Sequence, residues 1–457
     1  MRNGHPRTWF SFILMLGDLL LVNAGFILAF LIRFQGKLPA TNFDPYLKLF
    51  PWITLAAVIF FNVYGLYYTV RRSWRDILSS LICSVGLIFL ISVVLSYMAR
   101  GFAFPRTVFF LAALLQLALL GAWRRFMWRW ERKLHGSKKV IVVGRLLEAQ
   151  ELAVKLSRSS EGVFNIQGII GDIPLPEAKQ GRDFYPVLGS WETAEEDLLK
   201  CSPDLVYVCS SVPQELKKKI IASSLSSPWE VYLVPDLYDI MVVQATLDQI
   251  DDTPVFHVGS VRPKNGLQFG KRLLDVSISA AGLVLALPLM LLIALAIKLD
   301  SPGPVFYTQE RVSYRGKTFK LIKFRTMVKD AEKYTGPVLA AENDPRITRV
   351  GKFLRATRLD ELPQLINVLK GEMSLVGPRP ERPYFVRQFE KQIPEYAYRH
   401  IVKSGITGLA QVAGKYSTSP EDKLRYDLLY AKTASPLLDL QILFQTVKVL
   451  LMKDKAS

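Results

Sequence analysis

Four long apolar stretches open the chain and restrict its fold more than any other feature. They lie at about residues 9 to 32, 47 to 69, 77 to 98 and 104 to 123, each near the ~20 residues that a helix needs to cross a bilayer. The first is too long for the core of a signal peptide and lacks a small-residue cleavage site, so we expect it to stay in the mature protein. Buried helices of a soluble protein are the alternative, but short charged loops between the stretches favour a membrane domain of four helices over residues 1–134.

Lysine and arginine residues around these stretches predict their orientation. Arg2 and Arg7 precede the first stretch, RRSWRD (71 to 76) lies between the second and third, and WRRFMWRWERK (123 to 133) follows the fourth. Because positively charged flanks stay on the cytoplasmic side, we expect both ends of the bundle in the cytoplasm.

Residues 135–262 have a soluble α/β pattern. The segments KKVIVVG, FNIQGIIGD, DLVYVCS and EVYLVPD are typical of strands, and LLEAQELAVKL is typical of a helix. This alternation predicts a parallel, Rossmann-like sheet. A dinucleotide site would need further glycines after Gly144, where the chain has Arg145, Leu146 and Leu147. We therefore favour a structural or regulatory module.

The composition restricts the partners of the chain. It carries 58 Lys and Arg against 40 Asp and Glu, a net charge of +18, although half of its residues are hydrophobic. Such a chain usually works beside anionic lipids or on anionic substrates. No groove-reading or RNA-binding motif is present, so we expect no nucleic-acid partner. The three cysteines and four histidines form no ligand-spaced cluster, so any metal is expected to be Mg²⁺ with oxygen ligands.

A fifth apolar run follows at residues 273 to 299. It is long enough to span a bilayer, but a fifth crossing would send residues 300 to 457 outside, and residues 301 to 330 carry seven Lys and Arg against two Asp and Glu. This inside-type flank favours a re-entrant helix over residues 270–299, which enters and leaves on one face. Pro288 near its middle removes a backbone donor and clashes with the carbonyl four residues earlier, so we expect the helix to break there.

Two amphipathic patterns lie near the end of the chain. They are EDKLRYDLLYAKTA (421 to 434) and PLLDLQILFQTVKVLLMK (436 to 453). Their apolar faces could lie on the bilayer or pack against a protein core, and the sequence leaves both interpretations open.

The stretch RLDELPQL contains two adjacent carboxylates, Asp360 and Glu361, among arginines. It is a good helix start, because acidic residues in the first turn and an early Pro363 are favourable there. The alternative is chemical. A carboxylate pair near arginines, in a basic membrane domain without a catalytic His or Cys candidate, suits phosphoryl transfer, where Mg²⁺ and arginine neutralise the diphosphate that the carboxylate approaches.

Basic residues lie in two nearby segments. SLVGPRP would carry Arg379 on a glycine-proline turn, and FKLIKFRTM would present Lys323 and Arg325. The planar fork of arginine can donate two hydrogen bonds to one phosphate. Any one of these residues alone is typical of a solvated surface, but together with the carboxylate pair they predict an anion site.

Four segments of the chain together resemble a known family. They are KRLLDVSISAAGLVLALPLMLLIALAIKLDSPGPVFYTQERVSYRGKTFKLIKFRTM, RATRLDELPQLINVLKGEMSLVGPRP, RHIVKSGITGLAQVAG and KLRYDLLYAK. They look like the successive motifs of the bacterial polyprenyl-phosphate sugar-1-phosphate transferases, the monotopic phosphoglycosyl transferases, and the resemblance covers residues 267–457 in order. Four spans and a Rossmann-like module are similar to the large members, such as undecaprenyl-phosphate galactose or glucose phosphotransferases. The resemblance implies a mixed α/β monotopic catalytic domain with a re-entrant, Pro-broken membrane helix.

The resemblance also implies a two-step reaction at the cytoplasmic face of the bacterial inner membrane. Asp360 would attack the β-phosphate of a UDP-sugar, release UMP and pass the sugar-phosphate to undecaprenyl phosphate, the first membrane step of surface polysaccharide synthesis. Mg²⁺ would be held with help from Asp360, and Glu361 would assist the metal or the proton handling. Arg379 of the G-P-R-P motif would hold a phosphate. The other family motif positions, with implied phosphate-binding roles, are Lys323, Arg325, Arg355, Arg399 and Asp427.

The sequence departs from the family at two places. Leu287 stands before the proline where small members have serine, and R-A-T-R stands where many members read R-R-T-S, which leaves Arg355 in place and adds Arg358.

The resemblance to the large members implies that the protein is a homodimer surrounded by membrane lipids.

Two other classes compete with the transferase. Membrane-anchored nucleotide-sugar dehydratases need a glycine-rich loop and a Tyr-x-x-x-Lys pair, and this sequence has neither. A non-catalytic scaffold or sensor predicts no turnover and no need for Asp360.

Overall fold

The computed structural model describes residues 8–67, 72–99, 104–160, 162–172, 184–242, 245–250, 253–257, 265–328, 344–414 and 418–450. The chain divides into two compact units, Met1–Pro235 and Asp236–Ser457.

The first unit begins with the four expected apolar helices. Their bounds are α1 Thr8–Arg33, α2 Ala40–Val63, α3 Trp74–Met98 and α4 Arg106–His135. Together with Gln268–Asp300 of the second unit, five helices of the described chain are long and apolar enough to cross a membrane. Helix α4 continues past the expected end at residue 123 and carries the basic segment on its last turns.

A buried ion pair joins two of these helices. Arg124 of α4 donates from Nε to Oδ1 of Asp18 of α1 at 3.1 Å, and both side chains are almost completely buried. Charges inside an apolar bundle are costly unless they are paired. The pair therefore fixes α4 against α1.

The rest of the first unit is a five-stranded parallel sheet in the order β3-β2-β1-β4-β5. Its strands are β1 Lys138–Val143, β2 Phe164–Gly171, β3 Val187–Ser190, β4 Leu205–Val208 and β5 Glu230–Leu233, with α5 Leu146–Ser160, α6 Ala194–Cys201 and α7 Gln214–Ser226 between them. Successive residues of β1 enter two different cores, Ile141 and Val143 on one face and Val140 and Val142 on the other. Strands buried on both faces read as continuous apolar runs, which is why KKVIVVG was recognisable.

The second unit begins earlier than the sequence predicted. The α/β module was expected to reach residue 262, but α8 Leu237–Val242 and the hairpin of β6 Thr246–Ile250 and β7 Thr253–His257 belong to the second unit. The reason is packing, because Ile240 of α8 is buried in an apolar cluster with Val312 and Leu424.

Helix α9 is Asn265–Asp300, a continuous helix of 36 residues with Pro288 inside it. The sequence predicted a break at Pro288, but the helix does not end there. A helix can accommodate an interior proline by bending without separating into two helices.

The remaining elements surround a second apolar core. They are the antiparallel hairpin β8 Phe306–Val312 and β9 Thr318–Phe324, α10 Arg349–Thr357, α11 Gln364–Lys370, the parallel pair β10 Ser374–Val376 and β11 Gly405–Thr407, α12 Pro383–Gln392, α13 Leu409–Ala413, α14 Pro420–Thr433 and α15 Pro436–Leu450. Helices α14 and α15 place Tyr430, Ala431 and Ile442 in this core beside Val368 and Leu375. Of the two interpretations of the amphipathic patterns, packing against protein is therefore the one observed for these faces.

Candidate active site

Asp360 lies in a short 3-10 turn between α10 and α11. Arg358 ends α10 with a left-handed backbone (φ 55°), and the turn Leu359–Glu361 follows. Leu359 and Leu362 pack into the apolar cluster that α9 and α10 share, which holds the turn against the membrane helix. Only 9% of the Asp360 surface is exposed.

The capping interpretation of the carboxylate pair is not supported. Pro363 occupies the N-cap of α11, and neither the 3-10 turn nor α11 has a side-chain cap. The Asp360 side chain forms no hydrogen bond or ion pair with any residue that the structure describes. The charged groups near it act on it only over longer distances. A mostly buried carboxylate without a partner is costly, so its place here is better explained by chemistry than by helix stability.

Glu361 brings two cations together. Its Oε1 accepts hydrogen bonds from Lys323 Nζ at 2.9 Å and from Arg379 Nη2 at 3.1 Å. Lys323 comes from β9 and Arg379 from the loop after β10, so one carboxylate assembles three of the predicted residues. Burial by itself would raise the pKa of Glu361, but Lys323 and Arg379 hold it well below its ordinary value. Glu361 is thus an anion at any pH near neutrality.

The pKa of Asp360 shifts in the opposite direction. Burial raises it, Lys323 opposes the rise, Glu361 adds to it, and Arg355 and Arg379 oppose it. Arg355 itself is oriented by its Nε, which donates to Thr326 Oγ1 at 2.9 Å. Adjacent carboxylates whose environments separate their pKa values are typical of sites where the two groups have different roles.

The loop that carries Arg379 is fixed by contacts of its backbone. The backbone at Gly377 approaches so closely that a Cβ would lie 2.2 Å from the Lys403 carbonyl oxygen. Arg399 Nη2 donates to the Arg379 carbonyl at 3.1 Å and lies 2.7 Å from Asp427 Oδ2. Arg399 and Asp427 are almost fully buried, so Asp427 pairs with Arg399, and Arg399 contacts the backbone of Arg379 instead of solvent.

Arg325 contacts the backbone just after the end of α9. Its guanidinium donates to the carbonyl oxygens of Pro302 (2.6 Å) and Ser301 (2.7 Å), and the residue is 6% exposed. A Cβ on Gly303 would lie 1.9 Å from Arg325 Nη1, so the turn is shaped around this side chain. The structure thus gives Arg325 a helix-ending contact, and its phosphate-binding role stays a prediction.

A polar cluster behind the Arg379 loop was missed by sequence reasoning. Lys271 Nζ lies 2.6 Å from Asp439 Oδ2, and the Tyr430 hydroxyl lies 2.7 Å from Asp439 Oδ1. The signal was present, because an aspartate inside PLLDLQIL must find a buried partner.

The donor set at the turn fits the expected Mg²⁺. The described residues contain no group of three or more His, Cys, Asp or Glu arranged to hold a metal. Mg²⁺ commonly uses only one or two carboxylates, while substrate phosphates and waters complete its shell. Asp360 offers such a carboxylate beside cations that attract a diphosphate.

The parallel sheet has its topological switch between β1 and β4, the place where open α/β sheets bind ligands. Glu148 of α5 places its carboxylate there: Oε1 accepts from Ser210 N (3.2 Å) and Ser210 Oγ (2.8 Å), and Oε2 accepts from Ser211 N (3.3 Å). A Cβ on Gly144 would lie 2.7 Å from Cys209 Sγ. The chain's own carboxylate thus takes two of the N–H groups at this crevice.

Comparisons with known proteins agree with the geometry of the second unit. The family model described as bacterial sugar transferase matches residues 267–453. A UDP-glucose:undecaprenyl-phosphate glucose-1-phosphate transferase of Xanthomonas campestris pv. campestris is 34% identical over 96% of this chain and 93% of its own length. The chain belongs to the bacterial sugar transferase family.

Two further relatives of this sugar transferase differ in the sugar that they name. A UDP-glucose:undecaprenyl-phosphate glucose-1-phosphate transferase of Klebsiella pneumoniae is 32% identical over 86% of this chain and 87% of its own length. A UDP-N-acetylgalactosamine-undecaprenyl-phosphate N-acetylgalactosaminephosphotransferase of Aeromonas hydrophila is 42% identical over 59% of this chain and 65% of its own length.

A second family model, described as a CoA-binding domain, matches residues 62–235 of the sugar transferase. The crevice between β1 and β4 does not fit the pyrophosphate of CoA, because Glu148 already accepts hydrogen bonds from Ser210 and Ser211. A phosphate placed there would face this carboxylate at close range. No step of the reaction is therefore assigned to CoA.

Proposed function

We propose that this sugar transferase moves a sugar-1-phosphate from a UDP-sugar to undecaprenyl phosphate, giving undecaprenyl-diphospho-sugar and UMP. The relatives named for this reaction and the membrane-length helices support the proposal. The lysine and arginine distribution supports the cytoplasmic face of the bacterial inner membrane. The role is the first membrane step of surface polysaccharide synthesis.

The observation that carries the proposal is the contrast between the two carboxylates. Asp360 has no hydrogen-bond partner in the described chain and a raised pKa, whereas Glu361 is bonded to Lys323 and Arg379 and has a lowered pKa. A desolvated carboxylate beside fixed cations is suited to attack phosphorus.

In the first step, an Asp360 carboxylate oxygen bonds to the β-phosphorus of the UDP-sugar. The bond from that phosphorus to the bridging oxygen breaks, and UMP leaves with the oxygen and its electron pair. Arg379 and Lys323 neutralise the diphosphate as it approaches, and Arg355 adds positive charge near Asp360. Bound Mg²⁺, held with help from Asp360, would supply further charge neutralisation at the phosphoryl oxygens.

In the second step, an oxygen of the lipid phosphate attacks the same phosphorus and releases Asp360 as a carboxylate. The soluble and the lipid substrate thus use one site in turn, and ping-pong kinetics follow. Glu361 fixes the positions of Lys323 and Arg379 in both steps. Its lowered pKa argues against a role as proton carrier.

We also propose that α9 is re-entrant. Near its start Asp275 accepts from Leu375 N at 3.0 Å, in its middle Gly282 faces Leu365, and at its end Asp300 accepts from Val350 N at 3.2 Å. The start, the middle and the end of α9 thus all contact the second unit, whereas the two ends of a crossing helix lie on opposite sides of the bilayer. This supports entry and exit on the same face.

Two further proposals follow from the architecture. The parallel order β3-β2-β1-β4-β5 supports a Rossmann-like module, and the internal contacts of Glu148 support a structural role for it. The homodimer implied by the family resemblance is retained as a proposal.

The test is a panel of UDP-sugars given to the detergent-solubilised protein with Mg²⁺, first without and then with undecaprenyl phosphate. We expect one sugar to give a sugar-phosphate adduct in the intact mass without acceptor, and UMP turnover with acceptor. Asp360→Asn should lose both, whereas Asp422→Asn, which changes a surface aspartate paired with Arg425, should retain both. A folded protein that releases no UMP from any sugar would favour the scaffold.

A further inference from the structure

The loop that carries Arg379 is held by its carbonyl oxygens. Those of Val376, Pro378, Arg379, Pro380 and Glu381 each accept a hydrogen bond from another part of the second unit. The two prolines have no N–H group, so the loop has few donors of its own with which to fix its path. Its position depends on the donors that reach its carbonyls.

Three of these donors are cations, and each is paired with an acid. The pairs are Lys271 with Asp439 at 2.6 Å, Arg399 with Asp427 at 2.7 Å, and Arg311 with Glu381 at 3.6 Å. An acid beside each cation offsets the cost of burying its charge. The loop is therefore held on both sides of Arg379. Lys271 bonds the carbonyl of Val376 before it, Arg399 bonds the carbonyl of Arg379 itself, and Arg311 bonds the carbonyl of Pro380 after it.

The hydrogen bonds of Lys271 are complete. Its ammonium has three N–H donors, and three acceptors surround it: Val376 O at 3.0 Å, the Tyr430 hydroxyl at 3.0 Å and Asp439 Oδ2 at 2.6 Å. The Tyr430 hydroxyl has two acceptors within reach, Asp439 Oδ1 at 2.7 Å and Val376 O at 3.0 Å, and it donates best to the nearer, charged Asp439. Asp439 and Tyr430, both almost fully buried, thus orient Lys271, and Lys271 holds the loop.

We propose that Lys271, Tyr430 and Asp439 are positioning residues for Arg379, which set where its guanidinium meets the phosphates of the substrate. None of the three touches substrate; they act through the Val376 carbonyl, three residues before Arg379. This inference rests on the proposed transferase function. A shift of about 1 Å in a group that binds the reacting phosphate can cost on the order of a hundredfold in rate.

A double-mutant cycle tests the proposal. Tyr430→Phe removes one acceptor from Lys271 and keeps the ring that fills the core, so it should fold. We expect it to lower kcat/KM for UMP release about tenfold in the wild-type background and less than twofold in the Arg379→Ala background, because residues that act through one another are not additive. Equal losses in both backgrounds would overturn the proposal.

Arg272, the neighbour of Lys271 in the chain, provides a matched control. Arg272 also donates to two backbone carbonyls, those of Val368 (2.7 Å) and Leu369 (2.8 Å), but not to the Arg379 loop. Arg272→Met should lower kcat/KM by the same factor with and without Arg379→Ala, whereas Lys271→Met should lose most of its effect in the Arg379→Ala background.

Hydrogen exchange gives a readout that does not need turnover. We expect faster exchange in the peptide spanning residues 374–382 of Tyr430→Phe and Lys271→Met, and unchanged exchange there in Arg272→Met. Unchanged exchange in all three variants would overturn the inference even if the enzyme is active. If the wild type releases no UMP, the transferase proposal fails, while the exchange data still decide whether these residues hold the loop.

Discussion

Glu361→Gln is the substitution that best separates a fixed counter-ion from a proton carrier. The change keeps the shape of the side chain and removes its charge, so Lys323 and Arg379 lose the anion that holds them in place. If Glu361 acts by position and charge alone, activity should fall by the same factor at every pH near neutrality.

The size of the loss follows from the two contacts. A hydrogen bond to a charged group contributes about 1.5–3 kcal/mol. The Lys323 side chain is 21% exposed, so its contact counts in full, whereas Arg379 is 42% exposed and its contact is discounted by about half for solvent screening. The glutamine amide still accepts a neutral hydrogen bond of about 1 kcal/mol, which leaves a loss of about 1.3–3.5 kcal/mol. At 1.4 kcal/mol per tenfold, kcat/KM should fall about 8- to 300-fold.

The assay is the initial rate of UMP release across pH 5.5 to 9 for the wild type and Glu361→Gln. The pKa of Glu361 is below its ordinary value, so its charge is fully present above the ordinary pKa and is lost only as the pH falls through the lowered one. The ratio of wild-type to variant rates should therefore be constant across the range. Glu310→Gln, an exposed glutamate of β8, should stay within twofold of the wild type.

Two results would refute the reasoning. A loss of less than threefold would mean that Lys323 and Arg379 are held by other contacts. A ratio that changes severalfold with an apparent pKa between 5.5 and 8 would mean that Glu361 exchanges a proton during turnover.

Three other substitutions test the remaining contacts. Arg325→Lys should lower the melting temperature, because one ammonium cannot replace a guanidinium that is bonded to two carbonyls. It should leave KM for the UDP-sugar within twofold. A tenfold higher KM at an unchanged melting temperature would instead support the phosphate-binding role of Arg325. Arg399→Lys should lower kcat/KM at least tenfold through the Arg379 carbonyl, and a wild-type rate would contradict this contact. Millimolar CoA should not shift the melting temperature of the wild type. Glu148→Ala should lower the melting temperature and make it sensitive to inorganic phosphate. Stabilisation of the wild type by CoA would contradict the conclusion that Glu148 fills the crevice between β1 and β4.

Hydropathy and charge made the membrane helices and much of the sheet predictable. About twenty consecutive apolar residues predict a helix in the membrane from composition alone, and β1 is apolar on both faces. Strand β3 was missed because VLGS is short and contains a glycine, so its pairing with β2 decides its conformation. The position of α8 in the second unit depends on tertiary packing of Ile240, which no local pattern encodes.

The candidate site was predictable as a set of residues and less so as a set of contacts. Asp360, Glu361, Lys323 and Arg379 meet as expected. Arg399, in contrast, was expected on a phosphate and donates to a backbone carbonyl, because a guanidinium can donate to either kind of oxygen. Which oxygen it finds depends on the folded chain, and the sequence alone does not say.

The two ends of α9 have a practical consequence for protein engineering. Arg272 at its start caps α11 through two carbonyls, and Arg325, which follows β9, donates to the carbonyls of Ser301 and Pro302 just after the end of α9. An unrelated hydrophobic anchor of the same length would supply neither set of contacts. Chimeras between relatives with different sugar preferences should therefore exchange the membrane helix and residues 301–450 as a single cassette, with junctions before residue 265.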